Sequence, residues 1–342
     1  LFKTQTVFSN NLIYDVNNVQ VTGKISKNLD RKKLIQSAFQ KAFTTFINKT
    51  LLKKDAVTLY KTKINTIEDL VFTYQIIKEE NIKNKENILT LNIKFDQKKI
   101  SNFLSLNKIS YADVSNISLT LLPVVIKNND VLMFSENFFY NNWIKTENKI
   151  KNNEDISITY NLALENIEDF QYINLIKENL ELLDIKKLNS LKGSNNYVIL
   201  LIYFTEDKLR AFIKTFIEKK EIDKSLDLKI YTNNEIKTYE EAIASLKEEV
   251  SQIWKSQNLI DVNTPSFLHL FLDTKKTNDY LKLKTIFDSI DIIENYSVLE
   301  MTNKQTKIRI KYRGKIIKLK NKLLEKKVKI EIKNNIWRTA IN

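Results

Sequence analysis

Few residue types can make or break bonds at a protein site, and in this chain they are scarce. His269 is the only imidazole, and 342 residues contain no cysteine. A zinc finger, a zinc ribbon or a multi-histidine metal site cannot be assembled from one histidine and no thiolate. Ser-His or Cys-His catalysis has at most His269 to draw on. Gly23, Gly193 and Gly314 are the only glycines. They lie too far apart for a P-loop or a dinucleotide fingerprint, where clustered glycines let the backbone approach phosphate. Carboxylates are plentiful and recur as neighbours: Glu68-Asp69, Glu154-Asp155, Glu168-Asp169, Glu206-Asp207, Glu240-Glu241 and Glu248-Glu249. A glycosidase sets its two carboxyls across a cleft, about 5–9.5 Å apart, whereas adjacent residues on a strand or helix point apart. Solvated turns and helix N-termini account for such pairs more simply. The residues point to no catalytic constellation, no cofactor and no metal, and an enzyme working through carboxylates alone is the weakest reading.

What remains is binding chemistry. In Phe267-Leu-His-Leu-Phe-Leu272, strand alternation puts Phe267, His269 and Phe271 on one face and three leucines on the other. Lys307, Arg309, Lys311 and Arg313 alternate in the same way with Ile308, Ile310 and Tyr312. Side by side, the two segments would set aromatics against a basic stripe, as in sheet modules that stack and neutralise single-stranded nucleic acid. The plainer alternative packs both phenylalanines against the preceding domain and leaves the cations as a solvated face. A second candidate is the aromatic block Leu132-Met-Phe-Ser-Glu-Asn-Phe-Phe-Tyr-Asn-Asn-Trp143. There Phe134, Asn137, Phe139 and Trp143 would form a partner surface, since aromatics are enriched at interfaces. The favoured alternative is a short helix, capped by Ser135, packed on a sheet.

Charge narrows the search. Lys and Arg total 55 against 41 acidic residues, a net charge of +14, and only five of the 55 are Arg. Between Lys304 and Arg338 there are 14 basic residues against two acidic ones, a net of +12. The rest of the chain is nearly neutral. Lysine is a compact, hydrated charge suited to diffuse attraction, whereas arginine favours bidentate phosphate and base contacts. The basic segment therefore reads as a surface for an anionic partner before it reads as a nucleic-acid reader.

Several elements must position these residues. Val16–Ile25 reads as a strand, followed by a helix from Asn28 to about Lys49 whose apolar stripe includes Ala38, Phe39, Ala42 and Phe46. Leu70–Glu79 and Asn87–Phe95 read as strands, and Asp96 caps a short helix, completing a β-α-β-β-α unit near Tyr111. A second unit has strands at Ile117–Ile126, Ile156–Tyr160 and Tyr197–Phe204, with helical patterns at Glu168–Leu183 and Ile185–Leu191. Strands alternating with helices suggest a parallel or mixed sheet. Pro123 suggests an edge or a strand end. Leu209–Ile217 fits helix or strand, with strand preferred and Leu226–Tyr231 as its partner. Thr238 and Glu241 read as the capping box of a helix through Trp254. After the linker Asn263-Thr-Pro265, the order β-α-β-β-α-β, ending in one strand Val328–Trp337, is the ferredoxin-like split unit. The fold class expected is thus multidomain α+β/α/β, with domains at 10–112, 113–262 and 263–342. The opening residues 1–9, LFKTQTVFS, have Val7 and Ser9 at the positions of a signal-peptidase site; they read either as a signal-peptide remnant or as an ordinary frayed N-terminus, Lys3 and Gln5 interrupting the apolar stretch.

Three features together resemble a proteobacterial envelope-associated family, domain of unknown function two-zero-six-six. They are Val19-Gln-Val21-Thr-Gly23 leading into the helix with Ala38 and Ala42, the strand Leu121-Leu-Pro-Val-Val125 followed by the aromatic block, and the terminal split unit. Phe138 stands where that family tends to have proline. The resemblance implies a secreted, non-catalytic envelope protein and supplies no catalytic residues. The expectation is a periplasmic or secreted interaction protein whose basic C-terminal domain engages an anionic surface or an acidic protein. The alternative is a cytoplasmic protein binding single-stranded RNA through the face around His269 and Arg309. The longest apolar run, Tyr197–Phe204, has strand length, far short of the roughly 20 residues of a spanning helix.

Overall fold

A computed structural model describes residues 12–24, 28–82, 86–112, 117–147, 158–180, 183–205, 208–232, 234–261, 265–274, 278–333 and 335–340. Residues 1–9, most of the expected linker and the acid pairs Glu154-Asp155 and Glu206-Asp207 lie outside them. The fold is mixed α/β, with nine α-helices among the described residues. The elements before Asp113 are β1 (Asp15–Lys24), α1 (Asn28–Thr50), α2 (Lys53–Leu59), α3 (Ile64–Leu70), β2 (Val71–Ile82), β3 (Glu86–Phe95), α4 (Gln97–Leu106) and β4 (Tyr111–Ala112). Those up to Gln257 are β5 (Ile117–Lys127), β6 (Asp130–Met133), α5 (Phe138–Glu147), β7 (Ile158–Leu162), α6 (Ile167–Ile176), β8 (Tyr197–Phe204), β9 (Leu209–Ile217), β10 (Lys220–Leu228) and α7 (Glu235–Gln257). The rest are β11 (Leu259–Ile260), β12 (Ser266–Asp273), α8 (Asp279–Asp288), β13 (Ile293–Met301), β14 (Gln305–Tyr312), α9 (Ile316–Glu325), β15 (Ile330–Lys333) and β16 (Ile336–Thr339).

Contacts divide the chain into two units. One joins the segment up to Asp113 with the segment from Asn258 onward, and the other is Val114–Gln257. The sequence reads the two outer segments as separate domains, but in the structure they share one unit through specific polar contacts. Tyr111 and Ala112 of β4 pair antiparallel with Ile260 and Leu259 of β11. The Tyr14 hydroxyl donates to the Asp291 carboxylate at 3.1 Å, and the Lys322 ammonium reaches the same carboxylate at 2.9 Å. The Arg313 guanidinium donates to the backbone carbonyl and hydroxyl of Ser101 at 3.0 and 2.7 Å.

Within this unit, β1-β3-β2 form an antiparallel sheet. The helix α1 buries Ala38, Ala42, Phe43, Phe46 and Ile47 completely, at i, i+4 spacing. Gly23 permits the close approach of strand and helix, since a Cβ there would meet a Leu34 methyl at 3.0 Å. The other sheet has the order β13-β14-β12-β16-β15. The single last strand expected over Val328–Trp337 is instead the hairpin β15–β16, with Asn335 in its turn at a left-handed φ of 61°. The return strand β16 lies parallel to β12.

The other unit is a mixed sheet ordered β10-β9-β8-β5-β6, with β7 also on β5. Both β5 and β8 are covered on both faces, which is why they read as continuous apolar runs. One face packs α5 and α7 through Phe139, Trp143, Ile243, Leu246 and Trp254. The other packs Ile173, Leu188 and Leu191 against Leu122, Val124, Ile199 and Leu201.

Four sequence expectations change here. Pro123 marks neither an edge nor a strand end, because β5 has neighbours on both sides. On one side β8 pairs along Thr120–Lys127, while on the other β7 covers Ile117–Leu121 and β6 covers Val124–Lys127. The missing N–H of Pro123 falls where that second neighbour changes, so no ladder bond is lost. Leu209–Ile217 is a strand, but it pairs with Lys220–Leu228. Glu218 and Lys219 both adopt left-handed φ, 49° and 66°, as a two-residue primed turn requires, without the usual Asn-Gly signal. The helix expected from Thr238 starts at Glu235. Asn234 accepts the Lys237 amide at 2.9 Å, while the Thr238 hydroxyl accepts from the Tyr231 amide. Ile185–Leu191 is two short 3-10 turns, held by buried Asp169 accepting the Asn189 and Ser190 amides at 2.7 and 2.9 Å.

Candidate binding face of the C-terminal sheet

The strand β12 alternates as its residue types require. Leu268, Leu270 and Leu272 are buried, while Phe267 and His269 are exposed and Phe271 is half-buried. Its neighbour β14 buries Ile308, Ile310 and Tyr312 and turns Lys307, Arg309 and Lys311 the other way. The antiparallel register sets Phe267 opposite Lys311, His269 opposite Arg309 and Phe271 opposite Lys307. Across β14, Asn295, Ser297 and Glu300 of β13 stand opposite Lys311, Arg309 and Lys307. The structure therefore brings six of the seven sequence-derived residues onto one uncovered face.

The cations lie over the rings. The Arg309 guanidinium is 4.3 Å from the Phe267 ring centre. Phe271 has Lys307 at 5.5 Å and Arg338 at 5.9 Å. A ring face attracts a cation through its quadrupole, at about 0.5–1 kcal/mol on an exposed surface. Arg338 joins the site through the parallel register of β16, opposite Phe271, and also pairs with Asp273 at 2.7 Å. Arg338 lies one residue past the strand expected over Val328–Trp337. The signal was the alternation itself, continued for one more residue.

Arg313 is not on this face. It lies past the end of β14, is 7% exposed, and donates to Ser101 and, at 2.5 Å, to Glu294. Lys311 also pairs with Glu294, at 2.8 Å. Burial alone would raise the Glu294 carboxyl, but hydrogen bonds from Lys311 and Arg313 outweigh it and hold the group below the usual carboxylate range. The basic segment is thus partly neutralised within the unit. Lys322 pairs with Asp291, and Lys329 and Lys333 pair with Glu331. On the sheet face, Lys307 and Arg309 remain as cations directed at rings.

The aromatic block in the other unit is core. Asn137, Phe139 and Trp143 are fully buried and Phe134 nearly so, so these four residues offer no partner surface. Asn137, rather than Ser135, caps α5. Its side-chain oxygen accepts the Phe139 and Tyr140 amides at 2.8 and 3.4 Å. Its side-chain amide donates to the carbonyls of Pro123 and Leu132 at 3.0 and 3.1 Å. Phe139 and Trp143, four apart on α5, point into the same core.

A polar pocket of about 390 Å³ in that unit is lined by Ser118, Thr120, Asn195, Asn196, Glu218 and Trp254. Its side chains are engaged with one another and with the backbone. Ser118 accepts from Asn161, Thr120 from Ser194, and Asn196 from the Glu218 amide. Among the described residues, no group of three or more His, Asp or Glu side chains could hold a metal ion. No described helix is long and apolar enough to cross a membrane. No protein-family model, curated protein or solved structure matches the chain.

Proposed function

We propose that this chain is a non-catalytic interaction protein of the cell envelope, periplasmic or secreted, whose C-terminal sheet holds an acidic partner. One observation carries the binding half of this reading: an uncovered face where Arg309 lies over Phe267, and Lys307 and Arg338 flank Phe271. Rings beneath cations orient them and exclude water from one side, which strengthens their attraction for a carboxylate or other anion. We read the sheet as a ferredoxin-like split unit. The neighbours β13-β14-β12 support this, and the parallel β16 departs from it. The envelope half rests on the resemblance of three short segments.

Single-stranded RNA is the second reading, favoured by the exposure of Phe267, half of whose surface is free for a base. Against it, the guanidinium already covers one face of that ring. The test is a salt titration of the full chain against a labelled poly-glutamate peptide and, separately, a labelled oligouridylate. The expected result is salt-sensitive peptide binding that weakens in Phe267→Ala and in Lys307→Ala/Arg309→Ala. RNA binding without peptide binding would move the conclusion to the second reading, and no binding to either at low salt would remove both. Fractionation of the full-length protein tests the envelope half, and recovery with the cytoplasm would overturn it.

A further inference from the structure

The two helices of the C-terminal segment carry a second surface, opposite the sheet face. The helix α8 buries Leu283 and Phe287, and α9 buries Leu319 and Leu323. The connections β12-α8-β13 and β14-α9-β15 bring both helices over the leucine and isoleucine side of the sheet, which is buried, while the Phe267 side is open. Their solvent sides therefore face the same way.

Those solvent sides are unusual for exposed helices. A polar, charged face would be ordinary. Here aliphatic residues share the exposed positions, which are Ile317, Asn321, Leu324 and Glu325 on α9 and Leu281, Lys282, Lys284, Thr285 and Asp288 on α8. Leu281, Ile317 and Leu324 are 57, 56 and 54% exposed. Lysines border them on both helices: Lys282 and Lys284 are exposed on α8, Lys320 is half-buried on α9, and Lys327 is exposed just past its end. Asp288 and Glu325 are the acids nearby, and Asp288 accepts from the Tyr296 hydroxyl at 2.7 Å. Aliphatic side chains standing out of a field of lysines match a bilayer surface with anionic headgroups. The methyl groups reach the acyl boundary while the ammonium groups stay at phosphate depth. A nucleic acid would leave the three aliphatics in water. A protein partner would need an apolar patch ringed by acids.

We propose that α8 and α9 form a peripheral docking surface for an anionic lipid bilayer, lying in the plane of the headgroups with Leu281, Ile317 and Leu324 inserted. It is independent of the sheet-face reading, because the residues lie on the other side of the sheet.

The test is co-sedimentation of the full chain with vesicles of phosphatidylglycerol and phosphatidylcholine in equal parts, against vesicles of phosphatidylcholine alone. The expected result is salt-sensitive binding to the anionic vesicles only. Ile317→Asn/Leu324→Asn should weaken it at least about tenfold, and each of Lys282→Gln, Lys284→Gln and Lys320→Gln about fivefold. Four of the five positions are exposed and Lys320 is half-buried, and circular dichroism would confirm that the variants fold. Absence of vesicle binding at low salt would overturn the proposal, as would equal binding to neutral vesicles. Retention of binding in the aliphatic variant, with loss in Lys307→Ala/Arg309→Ala, would also overturn it by moving the contact to the sheet face. Loss of a concentration-dependent dimer in the aliphatic variant, without vesicle binding, would show that the patch serves a second copy of the chain.

Discussion

Two aromatic-rich segments, Phe134–Trp143 and Phe267–Phe271, have opposite fates. Both contain rings close to a polar side chain, Asn137 in one and His269 in the other, and both invite an interface reading. In the first, Phe134, Asn137, Phe139 and Trp143 are buried, and the Asn137 side chain satisfies four backbone groups. The second keeps Phe267 half exposed beneath Arg309. The difference lies in what covers each. The α5 rings at i and i+4 share one helix face, and α7 and the sheet are there to receive it. The β12 rings lie on the sheet face opposite its leucines, and the helices cover the leucine side. A ring beside a polar residue is evidence of an interface only after the covered face is known.

The sharpest way to break this contrast is at its buried end. Trp143→Ala should cost about 3–5 kcal/mol of stability in denaturant unfolding, through lost burial and a residual cavity. A cost below about 1 kcal/mol would mean that the block is not core. Arg313→Met should cost about 3 kcal/mol. It removes one of two cations facing Glu294, together with both hydrogen bonds to Ser101. The loss should appear as earlier melting, and unchanged stability would deny that Arg313 ties the terminal segments together.

Asn137→Ala should cost about 2 kcal/mol, by losing the cap and leaving the Pro123 carbonyl without its donor. Asn137→Asp should be worse than Asn137→Ala, because it would put a carboxylate oxygen against two carbonyls. The reverse order would mean that the side-chain amide does not hold the Pro123 and Leu132 carbonyls.

Glu294 sharpens the comparison through pH. Its carboxyl is held below the ordinary value of 4.5 in the folded state. The stability it contributes is therefore present above that value and is lost as pH falls toward the folded-state value. Wild type should exceed Glu294→Gln in melting temperature at about pH 7, and the gap should close as pH falls below the ordinary carboxylate range. A gap that persists in acid would mean that shape, not charge, holds the group. The smallest effect on stability is expected at the open face. Phe267→Ala should change it by no more than about 0.5 kcal/mol, while weakening peptide binding.

Much of the sheet face was legible in the sequence. Alternation at Phe267–Leu272 and Lys307–Tyr312 assigns each side chain to a face, because a strand has a strict period of two. The neighbouring of the two strands also followed from the order of elements. Arg338 lies one residue beyond the expected end of the last strand, and nothing local said that its second half returns parallel to β12. The primed turn at Glu218-Lys219 was hidden for a related reason. Neither residue favours left-handed φ, so pairing across the hairpin, rather than the turn residues, must hold it. The +12 of the terminal segment overstated the free charge, since Glu294, Asp291 and Asp273, all outside that segment, neutralise part of it.

The amino-acid sequence by itself determined what this protein lacks and where its faces are. With one histidine, no cysteine and three scattered glycines, thiolate, multi-histidine and glycine-cradled phosphate chemistry are out of reach whatever the fold. Side-chain periodicity sets inside against outside within each strand and helix. Only the tertiary structure decided that the two terminal segments form one unit, that Arg313 is buried against Ser101 and Glu294, and that the aromatic block is core. Those outcomes depend on which residues far apart in the chain come within hydrogen-bonding distance. Local spacing carries no record of that distance.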